Sequence, residues 1–112
     1  MQVNFFMKGT DSLVTKISGE LDHHMAKAIR TETDKRIMRG NVKNLIFDFN
    51  DLHFMDSSGI GVVIGRYKLI SSLGGKLTII SSKANVNKIL NMSGIPKIAN
   101  IYPSLAQINE NA

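Results

Sequence analysis

Cysteine and tryptophan are both absent from the 112 residues of the sequence. Without cysteine there is no disulfide framework, no thiolate metal site and no cysteine nucleophile. No apolar run approaches the roughly 20 residues that a membrane-spanning helix needs. The first residues also lack the charged and apolar regions of a signal peptide. We therefore expect a cytoplasmic protein that does not associate with a membrane.

Acidic residues are scarce in the second half of the chain. Residues 1–56 hold eight basic and eight acidic side chains, whereas residues 57–112 hold six basic side chains against Glu110 alone, and the net charge is +5. The six are Arg66, Lys68, Lys76, Lys83, Lys88 and Lys97. They form no run, and aromatic residues do not alternate with them. We interpret them as a solvated face with some attraction for an acidic protein surface, rather than as a nucleic-acid site.

The chain has the length and the composition, 43% hydrophobic and 21% charged, of one globular domain over residues 1–112. Hydrophobic patterns predict strands at residues 2–8, 12–18, 44–49, 76–80 and 98–101. Helices are predicted from 23 to about 39, from 57 to about 73, at 84–92 and from 104 to about 109. The first two strands read as an antiparallel hairpin, and the later helices imply parallel crossovers. We expect an α/β domain with a mixed sheet and the order ββαβαβαβα.

Several details of these elements follow from single residues. Asp22 is suited to cap the first helix, and Gly40 is suited to end it. Residues 18–21 break the strand pattern, and residues 50–55 suggest an irregular loop. The segment at 44–49 is almost continuously apolar, which predicts a central strand covered on both faces. The expected inward-facing side chains are Val3, Phe5, Met7, Val14, Ile17, Met25, Ala28, Ile29 and Ile37.

The segment from Asp56 to Lys68 carries most of the functional information. It places Asp-Ser-Ser where a strand passes into a helix, and these residue types are also ordinary helix caps. Glycines then follow in the first two turns, each about 1 kcal/mol less favourable than alanine in a helix. Ser57, Gly61 and Gly65 share one helix face. This bare strip permits either the close approach of another backbone or close packing on the sheet, and Gly59 can serve either purpose.

The apolar residues before this segment, Leu52, Phe54 and Met55, also have two explanations. They either anchor the loop from below or form contact surface. The sequence leaves both possibilities open.

Enzymatic explanations of the same segment are poor. The glycine spacing is not the dinucleotide fingerprint, and neither a phosphate-binding loop nor a nucleophile elbow occurs. A triad of Ser57, His53 and Asp48 has no support in its spacing. His23 and His24 are adjacent on a helix and point about 100° apart, so they do not chelate a metal as an i, i+4 pair does. We expect no catalytic residue, no metal and no cofactor.

Three blocks of the sequence resemble the STAS domain family. They are the segments from Gly19 to His24, from Phe54 to Lys68 and from Met92 to Gly94. The resemblance covers essentially the whole chain in order. The first block, together with the Gly-Arg-Tyr-Lys at 65–68, is more similar to the sporulation branch of the family than to its general-stress branch. The chain departs from the near-neutral or acidic charge that we expect of the family.

The resemblance implies a partner-switching role without enzymatic activity. In this family an unphosphorylated antagonist, monomeric when free, binds a dimeric, ADP- or ATP-bound anti-sigma factor that is also a serine kinase, and so frees the sigma factor. The kinase phosphorylates the serine after the aspartate of the motif, which is Ser57 here, and a PP2C-type phosphatase resets it. The partner-binding residues implied in this chain are Glu20, Asp22, His23, Asp56, Ser57, Ser58, Gly59, Gly61 and Gly65.

The sequence does not exclude other functions. A general-stress antagonist or a STAS scaffold keeps the fold and changes the partner. A nucleotide-binding or weakly hydrolytic domain would use the glycine-rich helix start. Direct nucleic-acid binding would show as a steep salt dependence of affinity.

Overall fold

A computed structural model describes residues 2–110 of the chain, with side chains through residue 108. Five strands form one sheet in the order β1-β2-β3-β4-β5. The first pair is antiparallel and the other pairs are parallel. The strands are β1 (Gln2–Lys8), β2 (Ser12–Leu21), β3 (Asn44–Met55), β4 (Lys76–Ile80) and β5 (Asn100–Tyr102). The helices are α1 (His23–Met38), α2 (Ser57–Ser72), α3 (Ala84–Met92) and α4 (Leu105–Glu110). The predicted fold class and element order are confirmed.

The two faces of the sheet are covered unequally. The large core lies on the face where α1, α2 and α3 pack, and it includes Phe47 and Phe49, which are both fully buried. On the other face a small cluster of Val14, Ile46 and Ile80 is covered by apolar residues of α4. The central strand β3 therefore contributes to both cores, as its apolar sequence predicts. Within the described range 2–110, no helix is both long and apolar enough to cross a membrane.

Two strands are longer than the sequence predicts. β2 continues through residues 18–21, and β3 continues through residues 50–55, where a loop was expected. The pairing register of these strands shifts between Lys16 and Ser18 and again between Gly19 and Glu20, and Gly19 has a φ of 91°. Such bulges change which face the following side chains occupy while the strands stay paired. The alternating pattern is lost for this reason, although the two strands remain paired to Leu21 and Met55.

Three members of the expected inward-facing set are placed differently. Met7 is 47% exposed because β1 is the edge strand, and Ala28 is exposed on α1. Val14 is buried, but in the small core on the opposite face from Ile17. The last strand also begins later than predicted because Ile95–Lys97 forms a short 3-10 turn.

Candidate functional site

Two parallel strands end side by side, and each is followed by an aspartate that caps a helix. Leu21 of β2 pairs with Met55 of β3, and the Asp56 amide donates to the Leu21 carbonyl at 3.3 Å. The Asp22 carboxylate accepts from the amides of His24 and Met25 at 3.0 and 3.3 Å, which confirms the predicted cap. The Asp56 carboxylate accepts from the Ser58 amide at 2.8 Å. The first turns of α1 and α2 therefore lie side by side at the carboxyl ends of β2 and β3, which we call this edge of the sheet.

Ser57 is the first residue of α2, and its side chain is exposed. Its hydroxyl makes no hydrogen bond with the described part of the chain, because the capping bond goes to the neighbouring Asp56 carboxylate. The free amides and the positive dipole end of a helix favour negative charge near this position. The hydroxyl of Ser57 is thus accessible, and the fold is suited to accept an anionic group on it.

The glycines of α2 have two different roles. A Cβ added at Gly59 would lie 2.5 Å from Met55 Cγ and 3.0 Å from Leu21 Cγ, and Gly59 itself is buried. A Cβ added at Gly61 or Gly65 would meet nothing within 4 Å. Gly59 is therefore needed for packing where β2 and β3 end, and it is not part of the exposed surface. The folded chain has no internal need for Gly61 and Gly65, which leave an open strip on the helix.

The apolar residues before the motif separate in the same way. Leu52 and Met55 are buried and anchor the end of β3. Phe54 is 47% exposed two residues before Asp56. Phe54 is thus free to form contact surface near the end of β3.

A groove of about 260 Å³ lies between α1 and α2 and reaches Ser58, the residue after Ser57. Its lining residues are Ala26, Arg30, Ser58, Gly61, Val62, Gly65 and Arg66. The sequence places Arg66 among the solvated cations, but the structure buries it, with Nε 2.7 Å from Oδ1 of Asp34. Burial lowers the pKa of Arg66, and Arg30 lowers it further, while the Asp34 carboxylate opposes the shift. Arg30 and Arg66 were not among the expected site residues, although Arg66 follows Gly65 directly in the motif.

A second depression, of about 370 Å³, lies beside the first helix turn of α1. Its lining includes Glu20, Asp22, His24 and His53. Glu20 and His23 are exposed, and the rings of His23 and His24 lie with their centroids 3.9 Å apart and their planes tilted by 37°. Among residues 2–110 no group of three or more potential metal ligands occurs. The segment from Glu20 to His23 thus presents an acidic and aromatic surface next to Ser57.

The triad of Ser57, His53 and Asp48 is not assembled. Asp48 lies in the middle of the sheet, where it pairs with Ile80 of β4 and its carboxylate accepts from the Asn50 amide at 3.0 Å. It stands seven residues before the end of β3, which corresponds to about 20 Å along a strand. The carboxylate is too distant to orient a base beside the serine.

Comparison with known proteins gives the family. The sequence profile of the STAS domain family matches residues 6–108. An anti-sigma F factor antagonist from Paenibacillus polymyxa is 42% identical over 90 residues, which cover 80% of this chain and 77% of that protein. The solved structure of the unphosphorylated anti-sigma factor antagonist SpoIIAA has a TM-score of 0.85 and 29% identity, and the match covers 97% of this chain and 95% of that one. The phosphorylated form of the Bacillus cell fate determinant SpoIIAA has a TM-score of 0.78 and 28% identity, with 99% and 100% covered. This chain belongs to the STAS domain family.

Proposed function

We propose that this chain is an anti-sigma factor antagonist of the anti-sigma F type. Its unphosphorylated form binds an anti-sigma factor that is also a serine kinase, and the sigma factor is released for sporulation transcription. The proposal is supported by the relative that is 42% identical and carries this name, and by the match to SpoIIAA in both phosphorylation states. The protein acts as a binding partner and not as an enzyme. Because the kinase requires ATP and its target is a sigma factor, the site of action is the cytoplasm.

The observation that carries the proposal is the exposed hydroxyl of Ser57 beside a surface that the fold itself does not use. We define the docking face as the set of exposed or half-buried residues around Ser57. It comprises Glu20, Asp22, His23, Phe54, Asp56, Ser57, Ser58, Gly61 and Gly65. The strip at Gly61 and Gly65 permits the backbone of a partner to approach α2 closely. Gly59 supports this face from below through its packing against Met55 and Leu21.

Phosphorylation of Ser57 is the proposed switch. The kinase transfers the γ-phosphoryl group of ATP to the Ser57 hydroxyl oxygen and leaves ADP, and a PP2C-type phosphatase later hydrolyses the phosphate ester. The new group adds about −1.5 to −2 charges. The start of α2 accommodates this charge, because the helix dipole favours an anion there by about 0.3–1 kcal/mol at exposed sites.

The complex does not accommodate the phosphate. When a partner covers this face and excludes water, the phosphate and the Asp22 and Asp56 carboxylates repel each other with less screening. The bulky group also displaces contacts that the partner makes around Ser57. A hundredfold loss of affinity requires only about 2.7 kcal/mol, which repulsion and displaced contacts can supply together. The phosphorylated antagonist is therefore folded and released.

The direct test is phosphorylation of the purified chain by the anti-sigma kinase of the same genome. We expect an increase of about 80 Da, the mass of one phosphoryl group, and a phosphopeptide that maps to Ser57. Ser57→Ala should not be modified, whereas Ser58→Ala, the matched neighbour, should be modified as in the wild type. An unmodified wild-type chain, with the kinase active on a control substrate, would contradict the proposal.

A second binding experiment separates the sporulation and general-stress branches. The purified chain is titrated with the anti-sigma F factor and with a general-stress anti-sigma factor. We expect binding to the first alone. Preference for the second would keep the antagonist role and change the partner.

A further inference from the structure

The groove between α1 and α2 contains more positive charge than its own carboxylate neutralises. Arg30 and Arg66 both line it, and Asp34 is the acidic side chain paired with Arg66. Arg66 is only 7% exposed, and its Nη1 is buried without a hydrogen-bond acceptor among residues 2–110. A buried cationic donor without an acceptor is unfavourable, and such groups in folded proteins call for an explanation.

The shape of the groove limits what can fill it. Gly61 and Gly65 contribute backbone only, so the space above them is open to an incoming side chain. Its volume of about 260 Å³ lies below the roughly 300–1,000 Å³ typical of pockets for small-molecule ligands. A single acidic side chain fits within this space.

Building on the proposed function, we propose that this groove receives an Asp or Glu side chain of the anti-sigma kinase, which pairs with Arg30 and Arg66. The incoming carboxylate supplies the negative charge that Asp34 alone does not. The interaction deepens the role of the docking face, because it adds a cationic contact that the sequence motif does not identify.

The charge arrangement around Ser57 explains why such a contact is useful. Glu20, Asp22 and Asp56 lie at the acidic end of the docking face, and the two arginines lie in the adjoining groove. A partner with the complementary arrangement can dock in one orientation only, since the reversed orientation places like charges together. The groove therefore sets the register in which the kinase meets Ser57.

Two substitutions and a matched control test the proposal. We would measure by calorimetry the affinity of the unphosphorylated chain for the anti-sigma kinase. Arg30→Gln should weaken binding about tenfold, and Arg66→Met should weaken it at least as much. Arg39→Gln is the control, because Arg39 is also exposed on the chain but lies at the far end of α1. It should bind within about twofold of the wild type.

Folding and partner identity are controlled separately. Arg66→Met leaves Asp34 without its cation, so circular dichroism is used to check folding. If that variant does not fold, Arg30→Gln alone decides the test, because Arg30 is exposed. Surface Asp and Glu residues of the kinase are then changed to Lys one at a time. One of these kinase variants should bind the wild-type chain more weakly and should bind the Arg30→Glu chain with restored affinity, because the two charges are then exchanged.

Several results would overturn the proposal. If Arg30→Gln and Arg66→Met bind the kinase as the wild type does while Ser57→Asp abolishes binding, the proposed function stands and the carboxylate contact is wrong. If ATP or GTP binds the chain without kinase and Arg66→Met removes that binding, the groove is a phosphate site instead. If the wild type does not bind the kinase at all, the proposed function itself fails.

Discussion

The first turns of α1 and α2 have the same backbone construction and present different surfaces. Each helix follows a parallel strand at the same edge of the sheet, and each begins with an aspartate cap. After the cap, α1 continues with His23 and His24, whereas α2 continues with Ser57, Ser58 and Gly59. The aspartate caps start both helices at the same end of the sheet. The residues that follow each cap determine which groups are exposed there for binding or modification.

A negative charge at the start of α2 should have the largest effect on binding. Ser57→Asp places a carboxylate at the first position of α2, where the dipole favours it, so thermal stability should be unchanged or slightly raised. Affinity for the anti-sigma kinase should fall about a hundredfold, equivalent to about 2.7 kcal/mol. Calorimetry and thermal unfolding measure the two quantities.

His23→Asp is the matched control, since it places the same charge at the first position of α1. It should weaken binding about tenfold or less, because it lies beside the acceptor serine and not at it. Equal losses from the two variants would mean that the total charge of the edge matters and the position of Ser57 does not.

Alanine substitutions at Gly59 and Gly61 should have the next largest effects, and they should change the unfolding free energy in opposite directions. Gly59→Ala places a methyl group 2.5 Å from Met55 Cγ in the core, and overpacking of this kind costs about 1–3 kcal/mol of unfolding free energy. Gly61→Ala meets nothing in the chain and should stabilise α2 by up to about 1 kcal/mol. Chemical denaturation gives both values.

For Gly61→Ala, affinity for the kinase should change in the direction opposite to stability. Gly61→Ala should weaken kinase binding despite its higher stability, because the methyl group occupies the open strip on α2. Normal binding by Gly61→Ala would show that no partner backbone approaches this helix closely.

The sequence predicted the Asp22 cap and the element order, and it offered a cap as one explanation of the Asp56 segment, because all three depend on local chemistry. Asp22 and Asp56 stand directly before helical segments, and a cap needs only its own first turn. The sequence also predicted the strip of Ser57, Gly61 and Gly65, since helical spacing alone places these residues on one face.

Features that depend on tertiary contacts could not be predicted in this way. The bulges place extra residues in β3 and shift its pairing with β2, and no local pattern marks where they fall. The burial of Arg66 depends on Asp34 of another helix. The different roles of Gly59 and Gly61 become clear only when Leu21 and Met55 are in place.

The smallest expected effect comes from the caps themselves. Asp22→Ala and Asp56→Ala should each lower the unfolding free energy by about 1 kcal/mol, because amides in the first turn lose their acceptor. Asn at either position keeps the acceptor, so Asp22→Asn and Asp56→Asn should differ from the wild type by only a few tenths of a kcal/mol. Asp22 accepts two amides and Asp56 accepts one, so the loss at Asp22 should be equal or larger. If the Asn variants were as unstable as the Ala variants, the charge on the cap and not its hydrogen bond would hold these helix starts together.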